Sequence, residues 1–456
     1  MRKLLLPLLA LLMIVAGAAY DRARAETRLP GVIRVGLFYD KTAGTSYTLV
    51  SPDGFVVGIK KHESFIPVQN VPEKKLNVRL VDVQHGSVPA LGVMNGLRMS
   101  GKHLEFKGDS ASQGFVLPLP SESPLYVASG REGGIISLNG KNYRGVIEFL
   151  PASNGGITVI NELGLEEYLY GVLPNEMPPS WPMEALKAQA VASRTYAVNN
   201  ILKGKKLGFD VTCDSSDQVY GGYDSENHRT NEAVNQTRGQ VLVYKDEPIL
   251  ALYHSNSGGV TEDSGDAFGT ELPYLKSVKD EFSLQSPNST WTVKIPRVQA
   301  GGFGTIYDLA VMEKSESGRV KKMLVRGSSG DRVLSAKDIR AAFQLKSNLF
   351  EIKTDAMVYV TVNGQERKSL YQLEGVSVVS GSRKSVLSAG GVAYLAGSDR
   401  SRKVPVTVQY YEFQGRGYGH GVGMSQWGAK VMAEQGYNYR DILFYYYNNV
   451  DLAADF

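Results

Sequence analysis

Among the acidic residues, Glu176 has the surroundings that best suit chemistry. It lies in the run Gly171-Val-Leu-Pro-Asn-Glu-Met-Pro-Pro-Ser-Trp-Pro182, framed by Pro174, Met177, Pro178 and Pro179. Prolines fix φ and remove N–H donors, so a stiff turn poor in internal hydrogen bonds is expected here, ahead of a long helix. A carboxyl group among apolar neighbours loses water where the surface is concave. Desolvation favours its protonated form, which a general acid working near neutrality requires. A solvated loop glutamate with no chemical role is the plainer reading, and composition alone favours it. Glu166 and Glu167 are rivals for the same role, on a short helix expected over Leu165–Gly171, where such glutamates are usually solvated.

Two other stretches offer polar groups beside glycines. In Tyr253-His-Ser-Asn-Ser-Gly-Gly-Val-Thr-Glu262, a histidine at a strand end stands near two glycines, which lets a substrate approach the backbone closely. A lock between His254 and Glu262 is the structural alternative. Gly415-Arg-Gly-Tyr-Gly-His-Gly-Val-Gly-Met-Ser-Gln-Trp-Gly-Ala429 presents His420 and Gln426 as groups for a cleft, with Ser425 as cap of the helix that follows. Alternatively, those side chains bond the loop to itself. The run lacks the Gly-Lys-Ser/Thr ending of a phosphate loop, and the export signal described below also speaks against nucleotide use.

These groups need elements to hold them. An alanine-rich helix is expected up to Leu202, with Ser180 as N-cap, Pro182 in the first turn and Glu184 near the N-terminus. Lys187, Ala190, Val191, Arg194 and Val198 recur at helical spacing, and Lys187 and Arg194 share nearly one face. Both are candidates to line a site beside Glu176; a solvated basic face is the alternative.

Glu176-Met-Pro178, with Glu184-Ala-Leu-Lys-Ala-Gln-Ala-Val-Ala-Ser-Arg-Thr-Tyr196, resembles the signature of the stage II sporulation protein D family, which includes the amidase enhancer LytB. Gln218-Val-Tyr220, the Tyr253–Glu262 loop, Leu345-Lys-Ser-Asn-Leu-Phe350 and the Gly415–Ala429 run are similar to further motifs of that family, in the same order. The resemblance covers most of 157–353 and 411–449. It implies a lytic transglycosylase cleaving MurNAc–GlcNAc glycan strands of peptidoglycan to a 1,6-anhydro product, in sporulation, engulfment or cell-wall remodelling. Glu176 would be its catalytic acid. Lys187, Arg194, Tyr196, Gln218, His254, Ser255, His420, Ser425 and Gln426 would be its substrate-binding residues. A non-catalytic, LytB-like enhancer of a partner amidase is the alternative; a carbohydrate-binding scaffold is a third. Metal-binding members carry extra cysteine and histidine ligands near these motifs. Ser257 stands here where many have cysteine, so no structural zinc and no cofactor are expected.

Met1-Arg-Lys, the apolar run Leu4–Ala19 and Ala23-Arg-Ala25 read as a secretory signal cleaved near Glu26. An uncleaved membrane anchor is the rival, although the run is short for a full span. The expected location is secreted, or extracytoplasmic and attached to wall or membrane. A hydrophobic content of 43% with 21% charged residues suits a globular chain rather than a disordered one. The formal charge of +4 over 456 residues gives no case for nucleic acid but suits an anionic cell wall. Cys213, the one cysteine, cannot form an internal disulfide and reads as a small hydrophobe.

The fold class expected is α+β. A signal at 1–25 precedes a β-rich region at 26–150, with strands at Ile33–Phe38, Leu76–Val83 and Gly145–Leu150. A mixed core with the alanine-rich helix follows at 151–353, then a β-rich insertion at 354–410 with a turn at Asn363-Gly364. The remainder of the core occupies 411–456, ending in an aromatic helix that reads as core rather than sugar platform.

Overall fold

A computed structural model describes residues 30–61, 64–82, 101–111, 113–119, 124–204, 208–287, 289–298, 302–356, 358–362, 365–370, 373–380, 382–396 and 401–454. The expected signal at 1–25 and the Asn363-Gly364 turn lie outside these residues. The chain is α+β and rich in strands, as its patterning predicts. It divides into two compact units, residues 1–251 with 450–456, and 252–449. The division falls between Ala251 and Leu252, inside the span that the motifs suggest as one core.

The first unit is built on a seven-stranded sheet. In spatial order its strands are Val211–Thr212, Val32–Phe38, Ile157–Gly164, Val146–Pro151, Leu125–Ser129, Phe55–Lys61 and Ser64–Val71. A six-stranded sheet built from Lys141–Tyr143, Ile136–Leu138, Ser46–Val50, Lys75–Asp82, Lys102–Gly108 and Phe115–Pro118 accompanies it. Ile157–Gly164 is buried along nearly its whole length, as a strand covered on both faces must be. It runs straight into the helix Leu165–Glu176, which thereby carries the candidate acid off an interior strand of the sheet.

The alanine-rich helix runs from Met183 to Lys203 and is buried around most of its circumference. This explains its composition: small side chains let the helices Leu165–Glu176 and His228–Gln236 and the strand Val241–Tyr244 approach closely. Its start differs from expectation. Pro182, not Ser180, occupies the cap position, with ψ at 141° and no side-chain cap. Proline there brings a fixed φ suited to helix entry and no N–H to satisfy.

In the second unit, Thr290–Pro296, Tyr410–Arg416 and Phe350–Thr354 form one sheet, and Ile306–Lys314, Val320–Gly327 and Arg332–Ser335 another. The rings of Phe343 and Phe350 each lie 5.2 Å from that of Phe413 in the shared apolar core. Small hairpins occupy part of 358–405, where a β-rich insertion is expected. The helix Tyr439–Tyr446 buries Ile442, Leu443 and Tyr446 while Phe444 stays exposed, so one face of the terminal aromatic helix is core. No helix among the described residues is long and apolar enough to cross a membrane.

Candidate functional site

Glu176 is the last residue of the Leu165–Glu176 helix, and Met177 closes it by donating its N–H to the Leu173 carbonyl. The expected turn therefore starts one residue later, and the expected short helix reaches past Gly171. Pro174 lies inside the last turn, where it withholds one N–H from the helix. The half-buried Glu176 carboxylate accepts the backbone N–H of Val219 at 3.0 Å. That bond fixes the carboxylate against the loop that carries Gln218-Val-Tyr220.

The loop is in turn fastened to the same helix. The Gly221 N–H donates to the Gly171 carbonyl at 2.8 Å, and the Ser225 hydroxyl donates to it at 3.2 Å. The Asn175 side-chain amide donates to the same carbonyl at 2.7 Å and to Ser225 Oγ at 3.1 Å. Gly171 leaves no room for a side chain: a Cβ there would stand 2.6 Å from the Tyr220 ring.

Below this strap lies a buried polar layer. The Tyr168 hydroxyl donates to Gln218 Oε1 at 3.1 Å, and Gln218 Nε2 donates to the Ser193 carbonyl at 3.4 Å. The Tyr220 hydroxyl donates to Asn161 Oδ1 at 2.8 Å, tying the loop to the interior strand Ile157–Gly164. Burial pushes the Tyr168 phenol well above its ordinary range, and the negative charges of Asp217 and Glu176 push it further. Tyr168 therefore remains a protonated donor. The Tyr196 hydroxyl donates to Asp217 Oδ1 at 2.7 Å, while Asp217 Oδ2 accepts from the Thr212 N–H at 2.8 Å and its hydroxyl at 3.0 Å.

Several residues expected to touch substrate thus have other work. Gln218 is fully buried and holds the loop from beneath. Arg194 is fully buried as well. Its Nε and Nη2 grip Glu166 at 2.8 and 2.7 Å, Nη2 also reaches the Val234 carbonyl at 3.1 Å, and Nη1 reaches Thr237 Oγ1 at 3.5 Å and the Gln240 carbonyl at 3.2 Å. A guanidinium has five N–H donors, and all are spent inside the fold. Arg194 shares a helix row with Lys187 but lines no groove, because that row is covered at Arg194. Glu166, expected to be solvated, is its ion partner. Glu167 turns back toward the Gly164 N–H at 3.3 Å. Lys187 pairs with Glu184 at 2.8 Å, one turn earlier.

In the second unit, a short parallel pairing joins the other two motifs: Tyr253 stands opposite Met424, and His254 opposite Ser425. Asn256 and Tyr418 exchange backbone hydrogen bonds at 3.0 and 2.7 Å, and the Trp427 N–H donates to the Ser255 carbonyl at 3.0 Å. Gly423, at φ +72°, allows this closeness; a Cβ there would strike the Leu252 carbonyl oxygen. Ser425 is buried and caps the helix Gln426–Glu434 by accepting the Gly428 N–H at 3.2 Å, as expected. Gln426, beside it, is also buried.

His254 is buried, and its Nδ1 lies 3.1 Å from the Val422 carbonyl. This makes Nδ1 the protonated nitrogen; Nε2 is buried with no hydrogen-bond partner. The lock with Glu262 does not form, since Glu262 instead accepts the hydroxyls of Ser315 and Ser317 at 2.7 and 3.0 Å. Burial, then the neighbouring His420 and Arg319, depress the basicity of His254. His420 stands 5.5 Å from His254, ring to ring, and its Nδ1 accepts the Val422 N–H at 3.0 Å. Burial and the charge of Arg340 hold His420 down at about 4. Both imidazoles are therefore neutral at physiological pH.

His420 borders a cleft of about 720 Å³ whose walls include Phe268, Arg319, Arg340 and Leu345. No motif points to these two arginines, because their meaning comes from burial rather than from spacing. Cys213 is half-buried, and burial raises its thiol out of the reactive range. No group of three His, Cys, Asp or Glu side chains suited to a metal occurs among the described residues.

The first unit thus holds a helix-borne carboxylate clamped by a loop amide, and the second a cluster around paired histidines. Comparison with known proteins shows which class of protein carries these motifs. The family model "Stage II sporulation protein" (SpoIID) matches residues 153–244, which contain Glu176 and Gln218. A domain of unknown function, DUF8618, matches residues 292–376. An uncharacterised protein of Brachyspira hyodysenteriae is 33% identical over 70% of this chain and 74% of its own length. The amidase enhancer of Bacillus subtilis is 35% identical over 70% of this chain, and the match spans 45% of that longer protein. Stage II sporulation protein D of Bacillus subtilis is 28% identical over 64% of this chain and 76% of its own. The chain belongs to the stage II sporulation protein D family, which includes the LytB amidase enhancer.

Proposed function

We propose that this protein works outside the cytoplasm on the cell wall, as a lytic transglycosylase of peptidoglycan glycan strands. The observation that carries the reading is the Glu176 carboxylate at the end of its helix, half-buried and held by the Val219 N–H. A fixed, partly desolvated carboxyl group is what acid–base catalysis on a glycosidic bond needs.

In the reaction, protonated Glu176 donates to the oxygen between muramyl C1 and the next sugar, and the C1–O bond breaks. The carboxylate then takes the proton of the muramyl C6 hydroxyl, and O6 closes on C1. The proton returns to Glu176, one sugar leaves as an alcohol, and no water is consumed. One carboxylate suffices because the nucleophile is already tethered, whereas hydrolases use a pair. Tyr168, Gln218 and Tyr196 support this step by holding the loop that holds Glu176. Lys187 is the side chain of the same unit that we assign to substrate contact.

The amidase-enhancer relative favours a second reading, in which the protein binds a cell-wall amidase and raises its activity. Incubating the purified protein with purified wall, with and without an amidase, separates the two. Transglycosylation gives products whose muramyl ends are lighter by one water than hydrolysed ends, without any amidase. Release seen only when an amidase is present, with no anhydro ends, overturns the enzymatic reading in favour of the enhancer.

A further inference from the structure

The cleft beside His420 carries one half-buried guanidinium that no carboxylate among the described residues answers. Of its other charges, Lys337 is exposed to water and the rest are met inside the fold. Asp266 accepts from Lys321 Nζ at 2.7 Å, and Lys321 also lies 3.0 Å from Glu313. Glu262 takes the hydroxyls of Ser315 and Ser317 and faces Arg319. Arg319 donates Nη2 to the carbonyls of Ser257 and Val260 at 2.6 and 2.8 Å, and Nη1 to Ser317 Oγ at 3.0 Å; only its Nε is buried without a partner. Arg340 differs. Among the described residues its guanidinium meets no carboxylate, and its Nε is also buried and unpartnered.

A half-buried guanidinium whose Nε is shut off from water without an acceptor costs free energy that an anion can recover. The fork of Arg340 matches a planar, two-oxygen acceptor. Lys337, also on the wall, is exposed to water, so Arg340 is the half-buried cation left for one carboxylate. The walls fit a carboxylate carried on an apolar or ring-shaped body: Val320, Ala341 and Leu345 line the cleft, and Phe268, 55% exposed, stands 5.7 Å from the His420 ring.

We propose that this cleft is a carboxylate subsite in which Arg340 grips one carboxylate of the cell-wall polymer. The identity of that polymer rests on the function proposed above. Two carboxylates of the polymer enter the test: that on the lactyl arm of a muramyl sugar freed of its peptide, and that of the terminal D-alanine of a stem peptide.

The test is binding to the full chain, followed by ligand-detected NMR, of N-acetylmuramic acid, acetyl-D-alanyl-D-alanine and N-acetylglucosamine, the last having the same ring but no carboxylate. The proposal expects one carboxylate probe to bind and N-acetylglucosamine not to; which one binds identifies the source. Arg340→Gln should weaken binding at least tenfold with unfolding temperature preserved, since Arg340 has no internal partner to lose. Arg340→Lys should restore part of the loss. Equal binding of N-acetylglucosamine, no binding of either carboxylate, or unchanged affinity in Arg340→Gln overturns the proposal. Glu176→Gln, measured alongside, should keep probe binding while losing anhydro-product release. Failure of the subsite and failure of the transglycosylase reading are thereby told apart.

Discussion

Arg194 shows how far one residue's role can lie from its pattern. Spacing puts it on a row with Lys187, and that placement on the helix holds. What spacing cannot say is that Glu166, Val234, Thr237 and Gln240 close over the row from other elements. Removing one partner of a buried ion pair leaves the other charged and unpaired, at a cost of about 3–5 kcal/mol. Arg194→Met should therefore lower the unfolding midpoint strongly, and Glu166→Gln in the same chain should return much of it. A midpoint unchanged by Arg194→Met would show the guanidinium to be unneeded for the fold. Glu176 was legible in the sequence as a candidate because its proline frame is local; the Val219 N–H that orients it was not, because it comes from 43 residues away.

At the scale of elements, the helix Leu165–Glu176 and the loop from Gln218 to Ser225 act as one part. Gly171 is their contact point, offering its carbonyl to Gly221, Asn175 and Ser225 and its missing Cβ to Tyr220. Gly171→Ala would favour the isolated helix but push on the Tyr220 ring, and overpacking of that kind costs about 1–3 kcal/mol. Denaturant unfolding should show that loss, and the displaced loop should lower turnover of glycan more than binding. Normal stability with normal turnover would mean that the strap does not position Glu176. The Ser425 cap could be read from sequence because capping is local chemistry. The Ser180 cap could not be separated from Pro182, since both suit a helix start and only the backbone dihedrals decide.

At the scale of the whole molecule, the chain order of the motifs was readable, and the division at Ala251 was not. The Tyr253–His254 and Met424–Ser425 motifs look remote in sequence, yet they form one parallel pair. No local pattern announces a partner 171 residues away. The packing around that pair sets a pH dependence for the second unit. His420 titrates at about 4 in the fold against 6.5 for an ordinary histidine. The unfolded chain takes up the proton first, so this contribution to stability is complete above pH 6.5 and is lost as pH falls through 4. It amounts to roughly 3 kcal/mol at most. Thermal unfolding followed from pH 7 to pH 4 should fall more steeply in the native chain than in His420→Gln. Parallel curves would show that His420 carries no such penalty.

The central claim is that one carboxyl group, Glu176, moves the proton in glycan cleavage. Its most direct test compares native protein with Glu176→Gln on purified cell wall, with anhydro-muropeptides counted by mass spectrometry and folding checked by circular dichroism. The account predicts a folded variant whose release falls by roughly 10²–10⁴-fold, the worth of a positioned acid–base group. Release at the native rate from the folded variant would contradict it.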